Sequence, residues 1–356
     1  MRLLLALLVG LMATPALAQL HPTARAVITD AIDKAIRPGF ADFASETGEM
    51  AARLDALCEG ASAEHLAGAR EQFAGVVTAW SRIEFYRFGP LMAENRSDRI
   101  LFWPDRKGIA LKQVQAILAN EDQTAVAPET LGQKSVAVQG LGALEFVLFG
   151  TGSDDLASAD GAFRCRYAGA IGALMAGTAA QMNAEWQDPD GIAARMIRPS
   201  EANADYRSND EVLEELVGVM AHGLEAIRDQ RILPFLGRDG EAPKPKSALF
   251  WRSNLTAPSL LANFAGLEAI LVDSDIWEYA PTEQFSIGQE AIAAFKAAAA
   301  AGAKVTGTVE EAVADPAQKQ ALTDMVTASQ TLGSLVGEEL PAALGLSVGF
   351  SSLDGD

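Results

Sequence analysis

Apolar residues recur every three to four positions along most of this chain, and no segment sustains the alternation of apolar and polar residues that marks a strand. That spacing predicts helices over roughly Arg25 to Cys58, Ala63 to Phe88, Lys107 to Asn120, Lys134 to Phe149 and Phe163 to Trp186. It predicts further helices over roughly Asn209 to Gln230, Pro258 to Asp273, Ser286 to Ala301 and Pro316 to Leu340. The expected class is all-α. Punctuation agrees: Phe88-Gly89-Pro90 ends one helix, Trp103-Pro104 breaks the next segment, and Thr256 is placed to cap a helix with Pro258 in its first turn. Gln187 to Asp210, rich in Asp, Asn, Pro and Gly, reads as a long connection, and Gly237 to Lys246 as a surface loop. The domain boundary is therefore expected near residue 200, with a first helical bundle over 19–200 and a second over 201–356.

One position breaks the apolar pattern. Glu145 lies inside Gly140-Leu141-Gly142-Ala143-Leu144-Glu145-Phe146-Val147-Leu148-Phe149-Gly150. An isolated carboxylate is costly in an apolar interior, so Glu145 calls for an arginine, a metal, a cluster of hydrogen-bond donors or a raised pKa. Gly140 and Gly142 on the same helix predict a close helix crossing, because glycine inside a helix costs about 1 kcal/mol relative to alanine. A second fragment, Asn263-Phe264-Ala265-Gly266-Leu267-Glu268-Ala269-Ile270-Leu271, puts Glu268 at the matching point of another apolar helix. Either the chain is a duplicated bundle facing itself across a cleft, or two Ala/Leu-rich helices coincide.

Other polar groups gather near aromatic ones. Trp80, Glu84 and Arg87 share one helix face, and Trp103, Asp105 and Arg106 follow the break after it. Arg252 and Ser253 precede a helix whose backbone N–H groups favour an anion. His222 and Glu225 are spaced as a surface pair. No His-Glu-x-x-His signature, Gly-rich phosphate loop or nucleophile elbow is present in the sequence.

Composition changes the picture in three ways. Residues 1–18 have the basic start, apolar stretch and Ala16-Leu17-Ala18 ending of a secretory signal, which predicts a mature chain from Gln19 in the periplasm without a transmembrane segment. The formal charge of −19 disfavours nucleic acid as a partner. Cys58 and Cys165 are the two cysteines of a chain expected in an oxidising compartment, so their pairing as a disulfide is the simplest expectation.

These residues together resemble the imelysin-like family, exported bacterial proteins classed with an insulin-cleaving membrane protease and with iron-regulated protein A. The resemblance runs through Ile36 to Phe40, Trp80 to Pro90, Phe102 to Arg106, Gly140 to Gly150, Phe163-Arg164-Cys165, Arg252-Ser253 with Asn263, and Gly349 to Asp356. It implies two duplicated helical bundles with a site at their interface, a peptidase label and a role in iron uptake. The family's Gly-x-His-x-x-Glu motif falls on Gly140 to Glu145, with Gly142 where the family has its histidine. Without that imidazole the expectation is a non-catalytic protein that binds iron, another divalent cation or an iron-bearing ligand, working with iron-uptake proteins of the cell envelope. Glu145 would be the metal ligand, joined by Glu84, Asp105 or Glu268, or would be neutralised by Arg87 or Arg252. A metal-dependent peptidase and a structural adaptor of the periplasm are the alternatives.

Overall fold

The structure, a computed structural model, describes residues 21–105, 107–238 and 240–347. The predicted signal segment, Arg106 and the terminal Gly349 to Asp356 lie outside the described residues. Among the described residues there are helices and no strands, so the all-α expectation holds. The principal helices are α1 (Arg37–Glu59), α2 (Ala63–Ile83), α3 (Ile109–Asn120), α4 (Gly140–Phe149) and α5 (Ala162–Gln187). They continue as α6 (Asn209–Ala226), α7 (Thr256–Asp273), α8 (Phe285–Gly302) and α9 (Pro316–Ser334).

Local chemistry sets their starts. Ser62 accepts from the N–H of His65 to cap α2, Ser208 accepts from Glu211 to cap α6, and Asp315 caps α9 ahead of Pro316. Three expected boundaries move. Helix α2 ends at Ile83 rather than Phe88, so Glu84 and Arg87 lie in the turn beyond it and do not share a helix face with Trp80. Thr256 is the first residue of α7 rather than its cap, and its hydroxyl donates to the Leu249 carbonyl at 2.6 Å. The helix expected from Lys134 begins at Gly140, because Gly140 has φ +68 and a side chain there would strike the Arg99 and Ile100 carbonyls. The long N-terminal and central helices are also not uniform. Pro38, Pro234 and Pro341 each sit just after a widened π turn, at Ala31–Ile36, Ile227–Ile232 and Leu335–Glu339. Proline lacks an N–H and crowds the carbonyl four residues back, and the wider turn relieves that conflict.

Packing follows the apolar stripes. In α1, Phe40, Phe43, Thr47, Met50, Leu54 and Leu57 are fully buried at alternating spacings of three and four, a seam that lies along α5 and α2. Cys58 at the end of this seam is bonded to Cys165 at the start of α5, confirming the expected disulfide. The preceding Ala24–Asp30 and Ala31–Ile36 pack instead on α6 and α7, so the chain passes from one helix group to another at the π turn. Helix α7 lies against α2 and α8, and α9 against α8 and α6. The contact of α7 with α2 is close: a Cβ on Gly266 would stand 2.1 Å from the Arg82 carbonyl oxygen, so only glycine fits. Buried apolar side chains from Ala24 to Leu346 form one connected core.

Candidate functional site

Helix α4 is apolar apart from Glu145 and packs on α2, α3 and α5, leaving a face open at Gly142. Glu145 is consequently buried, at 5% exposure, and burial raises its pKa above the ordinary value. Its Oε1 accepts from the Arg252 N–H at 3.1 Å, the Ser253 N–H at 3.0 Å and the Ser253 hydroxyl at 2.8 Å. The anion expected at the N–H groups before α7 is thus this chain's own carboxylate. The Arg252 guanidinium lies over the Trp251 and Phe146 rings, at 4.4 and 5.5 Å from their centroids. Burial lowers the Arg252 pKa, and Glu145 opposes that shift.

A polar seam continues between α2 and α7. Ser81 and Ser259 share a hydroxyl hydrogen bond of 2.8 Å. The fully buried Asn263 donates to the Ser81 carbonyl at 2.6 Å and to Glu84 Oε1 at 2.7 Å. Glu84 Oε2 is paired with Arg231. Arg231 is itself buried at 8% exposure; burial pulls its pKa down while Glu84 holds it up.

This buried ion pair borders a cavity of about 940 Å³. One wall comes from the end of α2 and the turns beyond it, with Trp80, Phe85, Arg87 and Trp103. Another part of the lining comes from Tyr206 and α6, with Glu211, Glu214, Glu215 and His222. Trp80 Nε1, Trp103 Nε1 and Arg231 Nη1 are buried and have no hydrogen-bond partner among the described residues. Burial raises the pKa of Glu215, which meets the Tyr206 hydroxyl at 3.5 Å. A second cavity, of about 690 Å³, shares Asp205, Tyr206 and Glu215 with the first.

The sequence-predicted residues therefore fall into separate groups. Trp80, Glu84, Arg87 and Trp103 come together at the cavity, and Asn263 reaches Glu84 from behind. Glu145, Arg252 and Ser253 form their own cluster, and none of them is in the cavity lining. Asp105 is occupied at the start of α3, accepting from the N–H groups of Ile109 and Ala110 at 2.8 and 2.9 Å. Glu268 is half-buried and feels Lys296 and Asp273. Gly140 is locked against carbonyls, whereas Gly142 is exposed with nothing within 4 Å of where its Cβ would stand, so it makes no close crossing. Among the described residues no group of three or more His, Cys, Asp or Glu is placed to hold a metal ion.

Arg231, Tyr206 and Glu215 are the site residues that sequence reasoning missed. A signal for Arg231 existed: it continues the buried stripe of Met220, Leu224 and Ile227, where an apolar residue is expected. His222 does lie beside Glu225, at 3.6 Å, but it also faces the cavity.

Comparison with known proteins fits this architecture. A family model described as imelysin, with a peptidase M75 label, matches residues 36–336. The chain is similar to the crystal structure of an imelysin-like protein from Psychrobacter arcticum 273-4, at 20% identity and TM-score 0.77, covering 92% of this chain and 98% of that one. It is also similar to a protein assigned as an iron-regulated protein A precursor from Parabacteroides distasonis ATCC 8503, at 13% identity and TM-score 0.71, covering 90% and 97%. At such identities the likeness is one of fold. No match is found among curated proteins.

Proposed function

We propose that this chain, which belongs to the imelysin family, is an exported, non-catalytic component of a bacterial iron-uptake system that holds an iron-bearing small molecule. The observation that carries the reading is the cavity of about 940 Å³, whose lining residues include Trp80, Trp103 and Arg231 with buried donors left unpaired. Its volume suits a compact ligand. Unpaired buried donors are rare in folded proteins, and at a cavity they favour a ligand rich in oxygen acceptors.

Iron enters this reading through the likeness to an iron-regulated protein A precursor. The residues do not fit a bare ion, because the described carboxylates and imidazoles are not grouped as metal ligands. Glu145 Oε1 is already occupied by three donors. Iron would therefore arrive in a complex that brings its own oxygen ligands. Export is supported by the Cys58–Cys165 disulfide, which persists in oxidising compartments. A two-bundle organisation, with a boundary near residue 200 and the cavity between the bundles, remains part of the proposal.

Calorimetric titration of the purified chain with ferric chelates and with uncomplexed iron tests this. Saturable chelate binding that weakens in a Trp103→Phe variant is expected. Binding of bare iron alone, lost in Glu145→Gln, would move the site to α4. Cleavage of unfolded protein substrates that disappears in Glu145→Gln would replace the proposal with a peptidase.

A further inference from the structure

We infer that the iron complex held in this cavity is a chelate of net positive charge, such as a ferric hydroxamate with a pendant ammonium group. The inference rests on the binding reading above and adds the sign of the ligand's charge. Six carboxylates line the cavity, those of Glu84, Asp98, Asp205, Glu211, Glu214 and Glu215, against the two guanidiniums of Arg87 and Arg231. Glu84 is paired with Arg231, and Asp205 with Arg195 outside the lining. Among the described lining residues, four carboxylates then remain beside the guanidinium of Arg87 and the imidazole of His222.

The arrangement of the excess charge matters as much as its size. Glu211 and Glu214 accept backbone N–H groups, of Arg207 at 2.6 Å and Ser347 at 3.0 Å, which orient the carboxylates without cancelling their charge. Glu215 is desolvated, and among the described residues its one hydrogen bond is a long one to the Tyr206 phenol. A cation in the cavity would relieve that desolvation, whereas an anion would add to it. The same lining is also aromatic, with Trp80, Phe85 and Trp103. Aromatic rings together with carboxylates are the usual surroundings of an organic cation. The unpaired indole and guanidinium donors supply the complementary contact, to the chelate's oxygen atoms.

The test uses the mature chain and three ferric complexes: desferrioxamine B, which is cationic, ferrichrome, which is neutral, and citrate, which is anionic. Calorimetry at low and high salt is expected to rank the cationic complex about tenfold or more ahead of the others, with the advantage shrinking in salt. The Asp98→Asn, Glu214→Gln double variant is expected to lose about tenfold for the cationic complex and to keep its affinity for the neutral one. Asp98 is exposed and a glutamine at 214 keeps an oxygen to accept the Ser347 N–H, so circular dichroism of that variant is expected to match the parent. Equal affinity for all three complexes, or tightest binding of citrate, overturns the charge assignment and leaves the iron reading standing. Binding of spermidine but of no ferric complex overturns the iron reading and leaves the charge assignment standing. Silence toward every probe defeats both.

Discussion

The Ser253 hydroxyl donates to Glu145 Oε1 at 2.8 Å across 108 residues of sequence, fixing the loop ahead of α7 to the one charged side chain of α4. Two backbone N–H groups, of Arg252 and Ser253, converge on the same oxygen. Glu145 thus stabilises a turn between distant segments, and its own burial is the cost of doing so.

That cost has a sign that can be measured. Burial lifts the Glu145 pKa above its ordinary 4.5, so the folded chain keeps the proton to a higher pH than the unfolded chain does. Below the unfolded value the two states are equally protonated and the group has no effect. As pH rises from there through the folded pKa, folding stability falls, and above the folded pKa the full penalty is present. Glu145→Gln keeps an oxygen acceptor and removes the titration. Urea denaturation of both proteins from pH 4 to 8 is expected to show the variant gaining on the parent as pH rises. Glu145→Ala is expected to lose about 3 kcal/mol at neutral pH, because three donors are stranded.

The Glu84–Arg231 pair makes a second test. Both partners are buried, so Arg231→Met leaves a carboxylate with Asn263 alone and is expected to cost about 4 kcal/mol. Adding Glu84→Gln removes the stranded charge, and the double variant is expected to recover about 2 kcal/mol of that loss. Chemical denaturation of the two single variants and the double gives the coupling directly. A double variant as unstable as the sum of its singles would show that the two charges do not depend on one another.

Much of this architecture was legible in the chain because helix periodicity is local. The helix that carries the seam from Phe40 to Leu57, and the disulfide, needed only spacing and compartment. The oddity of Glu145 was legible too, with Arg252 one of several candidate partners, but not that the N–H groups before α7 would take this carboxylate as their anion. What local pattern could not supply was which polar residues meet. Trp80 and Glu84 share a stretch of sequence, but the cavity they border is completed by Tyr206, Glu215 and Arg231, placed there by tertiary packing of α6 and the segments on either side of it. Asp105 has the composition of a site residue and the job of a helix start. The π turns ahead of Pro38, Pro234 and Pro341 were likewise invisible, since each lies inside an otherwise regular helical pattern.

The disulfide joins residues 107 apart, from the end of α1 to the start of α5. Cross-links spanning about a hundred residues stabilise by roughly 4 to 5 kcal/mol through restriction of the unfolded chain. The Cys58→Ser, Cys165→Ser double variant is expected to unfold at markedly lower urea while retaining native helix content at low denaturant. Thermal and urea melts followed by circular dichroism check this. An unchanged midpoint would mean that the α1–α5 seam alone holds these ends together.

Gly140 and Gly142 stand two residues apart on α4 and are expected to answer substitution in opposite directions. At Gly140 the backbone has φ +68, and an added Cβ would come within 2.2 Å of the Ile100 carbonyl oxygen and 2.3 Å of that of Arg99. Gly140→Ala must therefore shift the backbone or the preceding strand of chain, and is expected to lose more than about 2 kcal/mol. At Gly142 the helix is regular, the position is exposed, and no atom lies within 4 Å of the site a Cβ would fill. Gly142→Ala is expected to gain about 1 kcal/mol, the usual difference between these residues in a helix interior. Gly142→His, which supplies the imidazole that the family motif carries here, has the same open space and is expected to fold with at least the parent's stability. Urea denaturation of the three variants decides the matter. If Gly142→Ala were destabilising, the exposed face of α4 would have to be covered by another part of the chain or by a partner.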